Sequence, residues 1–292
     1  MRILIVYTDS LHYQGAGYRE AWAGALTREG VAVEVLAATP AAWARTGPPS
    51  GRWDLVIPHV LVEEVVAFSP TLRLAALLEA TGVPLLNPVG AILASSDKLT
   101  THAVWAAHGL PQPRVSPLEG LPIWPASGRP LVLKPSWCDG ARHIALVESL
   151  DEARRTVAAW RADEARGGEP RGPALLQEWI EEPACVRIFA TPREVSRAYE
   201  KDRRPGALVT HGTVYPRIYD PPPELAALAR RAVAALGGGL MGLDVLIGGD
   251  GRHHLLEANA PFGFDVTDPA QGEFVARAAV GIAERASREA IA

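Results

Sequence analysis

The chain has 292 residues, of which 48% are hydrophobic and 21% are charged, and its formal net charge is −4. This composition is typical of a globular protein, and the slight acidity argues against nucleic acid as a partner. No run of about 18 apolar residues is present, which excludes a membrane-spanning helix. Cys138 and Cys185 stand far apart without metal-like spacing, so we expect a reduced, cytoplasmic protein.

Short apolar runs alternate with helical segments over the first ninety residues. The runs are RILIVY, VAVEVL, WDLVIPH and VPLLN, and helical spacing is seen in GYREAWAGALTREG and around residues 41–45 and 61–80. This rhythm predicts a parallel sheet with helices on both faces. Ligands bind beyond the carboxyl ends of such strands, so the segment TDSLHYQGAGY after the first run is a candidate ligand-binding loop.

The rest of the chain mixes strands and helices. We expect a helix capped by Ser95 or Ser96 that runs to about His108, and a hairpin formed by PLVLKP and IALV. ALLQEWI predicts a strand, and VRIFATPREVSRAYE predicts two strands around a tight turn. Further helices are predicted for SLDEARRTVAAWRADEA, PPPELAALARRAVAALG and QGEFVARAAVGIAERASREAIA. Domain breaks are expected near residues 95 and 174.

A hairpin is predicted for GLDVLIGGDGRHHLLEAN, residues 242–259. Asp-Gly between alternating apolar residues is a strong signal for a two-residue turn, here at positions 250–251. Counting outward from that turn places Leu246 opposite Leu255 and Asp244 opposite Glu257. Because like charges directly opposite each other destabilise a sheet by about 0.2–1 kcal/mol, another group must compensate for this pair, or the face must be open to water.

Two carboxylates and an amide share one face of this hairpin. Asn259 follows Glu257 by two residues and therefore points to the same side. Such a set of hard oxygen donors suits Mg²⁺, particularly when substrate phosphates complete its coordination. A solvated polar face on an edge hairpin is the alternative.

Several basic residues also raise the question of an anionic partner. Lys98 lies in the first turn of a predicted helix, where the helix dipole disfavours a cation. Lys134 ends the apolar run LVLKP, and Arg187 lies within the apolar run CVRIF. A nucleotide phosphate would satisfy such cations, although surface or sheet-edge positions are alternatives. Arg217, in YPRIY, raises the same question.

The run ALLQEWIEE could contact a nucleotide base. Trp179 offers a flat face for stacking, and backbone groups near Glu178 and Ile180 could read the edge of the base. An ordinary strand with one tryptophan is the alternative interpretation.

Taken in order, these segments resemble the ATP-grasp superfamily, and within it the glutamate-ligase-like carboxylate–amine ligases. The resemblance covers almost the whole chain. It implies an α/β fold, α+β in the ATP-binding part, with a Rossmann-like N-terminal domain (1–95), a central lid subdomain (96–174) and a C-terminal ATP-grasp domain (175–292). ATP would lie between the last two.

The resemblance also implies roles for individual residues. Arg187 and Lys134 would act at the phosphate-transfer site. The implied ligands of Mg²⁺, or of Mn²⁺ as an alternative, are Asp244, Glu257 and Asn259. The implied nucleotide contacts are Lys98, Lys134, Gln177, Glu178, Trp179, Ile180 and, as the ribose-binding acid, Glu182. Two departures are that the lid loop SWCDGARH has a single glycine and that Glu182 comes early for its role.

The reaction implied is phosphorylation of a carboxylate by ATP, followed by attack of an amine on the acyl phosphate. We expect a small amino-acid-like substrate, in a pocket shaped by Arg217, His211, Tyr215 and Tyr13. One option is an intramolecular, D-cycloserine-type ring closure of O-ureido-D-serine in antibiotic biosynthesis. Alternatives are an intermolecular amino-acid or dipeptide ligase, a non-ligase ATP-binding protein and a kinase. The resemblance also allows a homodimer.

Overall fold

The computed structural model, which describes residues 1–7, 15–39, 53–119, 128–138, 142–181, 184–202, 215–265 and 268–291, begins with a parallel sheet. Its strands are β1 (Arg2–Tyr7), β2 (Ala32–Ala37) and β3 (Leu55–His59), in the order β2-β1-β3. The predicted parallel sheet is thus confirmed for three runs. The fourth, VPLLN, adds only a bridge between Val56 and Leu85, since Pro84 lacks the N–H that a longer ladder needs. The helix expected around residues 41–45 lies outside the described residues.

The helices of this part begin and end at identifiable signals. Helix α1 (Gly15–Arg28) stops before Gly30, whose φ of 75° requires the left-handed region. The helix predicted for 61–80 is divided into α2 (Val62–Val66) and α3 (Pro70–Ala80). The division lies at Pro70, which suits the first turn of a new helix because it has no N–H to donate.

The cap predicted at Ser95 or Ser96 is wrong. A helix, α4 (Val89–Ser96), ends there, and both serine hydroxyls donate to the carbonyl of Ile92. The cap of the next helix, α5 (Lys98–Ala107), is Asp97, whose carboxylate accepts from the N–H of Leu99 at 3.0 Å. Aspartate and serine are comparable caps, so the pattern alone did not separate them.

A four-stranded antiparallel sheet follows α5. Its strands are β4 (Val115–Pro117), β5 (Leu131–Pro135), β6 (Ala145–Val147) and β7 (Ala174–Glu178), in the order β4-β7-β5-β6. The predicted β5–β6 hairpin is confirmed, whereas β4 was not predicted. The helix α6 (Leu150–Glu164), capped by Ser149, packs on one face of this sheet. The sheet includes residues up to 178, so the domain break predicted at 174 falls at the start of β7; the three-domain division stays a prediction.

The last part of the chain holds a five-stranded antiparallel sheet. Its strands are β8 (Ala184–Ala190), β9 (Val195–Glu200), β10 (Arg217–Tyr219), β11 (Met241–Ile247) and β12 (His253–Asn259), and the helices of this part are α7 (Pro223–Ala235) and α8 (Pro269–Ile291). The strand order is β10-β9-β8-β11-β12. All were predicted except β10, which has three residues. Buried side chains of α5 and α7 form one core with this sheet, while α1 and α8 form another with β1 and β3.

The β11–β12 hairpin pairs Asp244 with Glu257 as predicted, but its turn and the pairing next to the turn differ from the prediction. The turn spans Gly248 to Gly251, with the N–H of Gly251 donating to the carbonyl of Gly248 at 2.9 Å. This shifts the pairing by one residue, so that Leu246 faces His254 and not Leu255. A bulge beyond Val245 then restores the predicted register. Within the described residues, no helix is both long and apolar enough to cross a membrane.

Candidate active site

One face of the four-stranded sheet carries polar side chains. Residues alternate between faces along a strand, so Val132 and Lys134 of β5 share a face with Gln177 of β7, which pairs with Val132. Leu131 and Leu133 point to the opposite face, into the core under α6. Lys134 is only 4% exposed. Burial, assisted by repulsion from Lys98, lowers the pKa of Lys134 to about 7.

Lys98 connects this sheet to the C-terminal hairpin. It is the first residue of α5, and its ammonium lies 3.0 Å from a carboxylate oxygen of Glu257 on β12. It also donates to the backbone carbonyl of Cys138, in the loop after β5. These two partners explain how a nearly buried cation is tolerated at the start of a helix, which the dipole disfavours.

Asp244 is the centre of a second set of ion pairs. Arg187 on β8 donates to its two carboxylate oxygens at 2.6 and 3.0 Å, and Lys201 donates at 2.8 Å. Burial alone would raise the pKa of Asp244, but the attraction of Arg187 and Lys201 outweighs it and holds that pKa well below its usual range. Burial alone would lower the pKa of Arg187, but the attraction of Asp244 outweighs this effect, so the pKa of Arg187 is raised.

The facing carboxylates are therefore stabilised by cations. Asp244 and Glu257 contribute two negative charges, and Lys98, Arg187 and Lys201 contribute three positive charges before Lys134 is considered. An excess of positive charge in a buried site favours a polyanion such as a nucleotide's phosphate tail. It disfavours a bare metal ion but not a metal that arrives with phosphates.

The donors predicted for a metal lie on one strand pair. Asp244 and Glu257 are directly opposite, and Asn259 uses its amide N–H to donate to Gly242 at 3.3 Å, which leaves its oxygen for another contact. No cluster of three or more His, Cys, Asp or Glu side chains with metal-binding potential occurs among the described residues. The candidate set is two carboxylates and one amide oxygen, a combination that fits Mg²⁺ sharing its coordination with phosphates.

Lys201 was missed by the sequence reasoning, although a signal was available. The chain has 29 basic residues besides histidine, and only Lys98, Lys134 and Lys201 are lysines. All three lie in this site, two of them bonded to the facing carboxylates. Because almost all other basic residues of the chain are arginines, a lysine indicates a position that requires a compact ammonium group and not a planar guanidinium.

Gln177 is the best candidate for a contact with a nucleotide base. It is 4% exposed, and its side-chain oxygen is buried without a hydrogen-bond partner among the described residues. An orphaned buried acceptor is costly and fits a ligand that donates, such as an exocyclic amine. The side chain of Glu178 points to the other face and accepts from Arg114. Trp179 and Ile180 are half-buried just beyond β7.

Of the residues predicted for the substrate pocket, the structure describes Arg217 and Tyr215. Tyr13, His211 and the ribose candidate Glu182 lie outside the described residues. Arg217 is on the edge strand β10, mostly exposed, where it pairs with Glu200 at 3.8 Å. Its guanidinium also lies 4.8 Å from the centre of the Tyr219 ring, and its contact with a substrate stays a prediction. Tyr215 contacts Tyr199 with the two rings tilted by 57° and their centroids 5.3 Å apart, and it is close enough to Arg187 to interact electrostatically.

A small cavity was missed at the carboxyl ends of β1 and β3. Its polar lining comes from Arg19, His59 and Asn87, and its apolar lining includes Trp22 and Phe262. Burial, with a smaller contribution from Arg19, lowers the pKa of His59 to about 4, so its imidazole is neutral at pH 7. The sequence pointed to this edge of the sheet through residues 8–18, which reach into the first turn of α1, but not to Arg19 or to the end of β3.

Comparisons with known proteins agree with this geometry. No family model matches the sequence. The chain is 32% identical to the D-alanine–D-alanine ligase of Chromohalobacter salexigens over 62% of this chain and 60% of that protein. It is also 32% identical to the D-alanine–D-alanine ligase of Stutzerimonas stutzeri, over 70% of this chain and 67% of that protein.

The fold is that of a solved ligase. The crystal structure of a D-cycloserine synthetase matches with a TM-score of 0.70 at 20% identity, over 97% of this chain and 99% of that one. The fold class inferred from the sequence is thereby confirmed. Together with the identity to the Stutzerimonas enzyme, the match leads to one conclusion: the chain belongs to the ATP-grasp superfamily of ligases.

Proposed function

We propose that this chain is an ADP-forming carbon–nitrogen ligase that activates a small amino-acid-like carboxylate with ATP. The observation that carries the proposal is the buried set of cations around Asp244 and Glu257. These cations come from both sheets and from α5, so they converge between the four-stranded and five-stranded sheets. Membership in a superfamily of ligases supports the same reading.

The nucleotide would lie against the polar face of the four-stranded sheet. Gln177 accepts from the base, and Lys98 and Lys134 neutralise the phosphate tail. Asp244, Glu257 and Asn259 are the donors that would hold Mg²⁺, or Mn²⁺, which supplies further charge neutralisation at the phosphate oxygens. Burial and the nearby Lys98 lower the pKa of Lys134, and a phosphate bound beside it would favour its charged form.

Chemistry at this site is mainly positioning and charge neutralisation. A carboxylate oxygen of the substrate attacks the terminal phosphorus, the bond to ADP breaks, and an acyl phosphate results. Arg187 and Lys201, which both pair with Asp244, would balance the charge that develops. An amine then attacks the acyl carbon, inorganic phosphate leaves, and an amide-type bond remains.

The assay is release of phosphate and ADP from ATP with a panel of D- and L-amino acids, with hydroxylamine as a trap for the acyl phosphate. A hydroxamate supports the ligase, a stable phosphate ester indicates a kinase, and tight ATP binding with no turnover across the panel refutes catalysis. Lys134→Met is expected to abolish turnover, while Arg154→Met, in an exposed pair with Asp151, is the control.

Two forms of the reaction remain to be separated by experiment. An intermolecular ligation consumes two amino acids, whereas a D-cycloserine-type ring closure consumes one, such as O-ureido-D-serine in antibiotic biosynthesis. Mass spectrometry of the product distinguishes them: the first joins two substrate masses less water, whereas closure of O-ureido-D-serine to D-cycloserine also releases the carbamoyl group, so that the substrate loses the mass of one carbon dioxide and one ammonia.

A further inference from the structure

Arg19 lies at the edge of the parallel sheet where the strands β1 and β3 end. Its guanidinium carbon lies 3.8 Å from the centre of the Tyr7 ring. Tyr7 is the last residue of β1, and His59, which also lines the cavity, is the last residue of β3. The stacking on Tyr7 fixes the orientation of the planar cation without neutralising its charge. Arg19 thus presents a positive group where ligands enter parallel sheets.

The opposite wall of this cavity continues into the phosphate-transfer site. That wall is formed by residues 260–262, which directly follow Asn259. Phe262 packs against Gly242, where a Cβ would lie 2.9 Å from the Phe262 Cβ and 3.4 Å from a guanidinium nitrogen of Arg187. A substrate whose reacting carboxylate lies near Arg187 therefore has Phe262 beside it and Arg19 beyond.

No carboxylate of the described residues balances the charge of Arg19. Among the described residues Arg19 forms no ion pair, and its neighbour His59 is neutral at pH 7. The remaining walls are largely apolar, with Trp22 and Phe262 each at most 5% exposed. Apolar walls strengthen an ion pair that forms inside the cavity, and a guanidinium favours an anion that can accept two hydrogen bonds at once, such as a carboxylate.

We propose that Arg19 binds a second carboxylate of the acid substrate. This inference rests on the proposed ligase function and narrows it. The substrate is then a dicarboxylic amino acid or a small peptide acid, with one carboxylate activated near Arg187 and the other held by Arg19. A single-carboxylate amino acid would leave Arg19 without its partner.

The test compares Arg19→Gln and Arg19→Lys with the wild type. Substrates are glutamate and aspartate of both chiralities, and their side-chain amides, with hydroxylamine as the acceptor. Loss of a charge-assisted bond predicts a KM for the dicarboxylate raised about 10- to 100-fold in Arg19→Gln, with kcat within about threefold. Arg19→Lys is expected to restore part of the loss, and the amides should be poor substrates that do not respond to either change.

Arg73 supplies a matched control. It also stacks on an aromatic ring, that of Phe68 at 5.0 Å, but outside this cavity. Arg73→Gln is therefore expected to leave every KM unchanged. A wild-type preference for amides or single-carboxylate amino acids would overturn the proposal, and so would an unchanged KM for the dicarboxylate in Arg19→Gln.

Calorimetry of glutamate and aspartate binding separates this proposal from the ligase function. Binding that is lost in Arg19→Gln, without phosphate release for any substrate, supports the Arg19 site and refutes the ligase. Hydroxamate formation that is indifferent to Arg19 supports the ligase and refutes the Arg19 site. Absence of dicarboxylate binding to the wild-type protein, with and without ATP, also overturns the Arg19 site.

Discussion

Replacing Asp244 with asparagine tests the central ion cluster. The Arg187, Asp244 and Lys201 side chains are 14%, 5% and 10% exposed, so the change leaves two cations nearly buried without their counter-charge. Removal of one partner from such a pair costs about 3–5 kcal/mol. That is a large part of a typical unfolding free energy of about 5–15 kcal/mol. We therefore expect Asp244→Asn to be folded but strongly destabilised, and inactive.

Urea unfolding at pH 7.5 without nucleotide measures this loss. Glu273→Gln is the control, because Glu273 forms an exposed pair with Arg277 at 3.4 Å and should cost no more than about 0.5 kcal/mol. Adding Lys201→Met to Asp244→Asn removes one uncompensated cation and should recover more than 1 kcal/mol. A loss below about 1 kcal/mol in Asp244→Asn would refute the buried cluster.

Three further outcomes are expected. Gln177→Leu removes an orphaned buried oxygen, so it should raise the melting temperature without nucleotide while weakening ATP binding about 2- to 10-fold by calorimetry. Burial lowers the pKa values of His59 and His102 to about 4 and about 3. The unfolded chain takes up these protons first, so the unfolding free energy should fall as the pH drops from about 6.5 to 4, by about 1.4 kcal/mol per pH unit for each histidine; denaturation of His59→Asn across that range should show a shallower slope. Gly242→Ala places a Cβ 2.9 Å from a side-chain carbon and should cost about 1–3 kcal/mol by urea unfolding, whereas Gly249→Ala, with nothing within 4 Å, should not.

The β11–β12 hairpin shows which features local sequence rules predict and which they miss. The opposition of Asp244 and Glu257 was predicted from a two-residue turn, yet the structure has a longer turn and a compensating bulge. The bulge also decides which apolar residue is buried: Leu255 is fully buried, while Leu256 is half-buried. The alternation of side chains along a strand predicts which face of the sheet a carboxylate occupies. An extra residue within a strand, such as this bulge, has no signature in the local sequence.

Other parts of the site depend on contacts between distant segments. Most strands and helices followed from their apolar spacing, and the order of the nucleotide-binding motifs identified the superfamily. The bond between Lys201 and Asp244 joins residues 43 positions apart, and no local pattern announces it. Arg19 was overlooked for the same reason, since a helical arginine looks like a solvated one until its neighbours across the cavity are known.

The distribution of lysines has a practical consequence. Every lysine of the chain lies in or beside the buried ion pairs of Asp244 and Glu257, so the exterior offers amine-directed reagents little besides the amino terminus. Glutaraldehyde, succinimidyl dyes and coupling to activated resins will either label the end of the chain or inactivate the protein. The same holds in a cell, where acetylation or ubiquitination of any side-chain amine would modify this buried ion cluster.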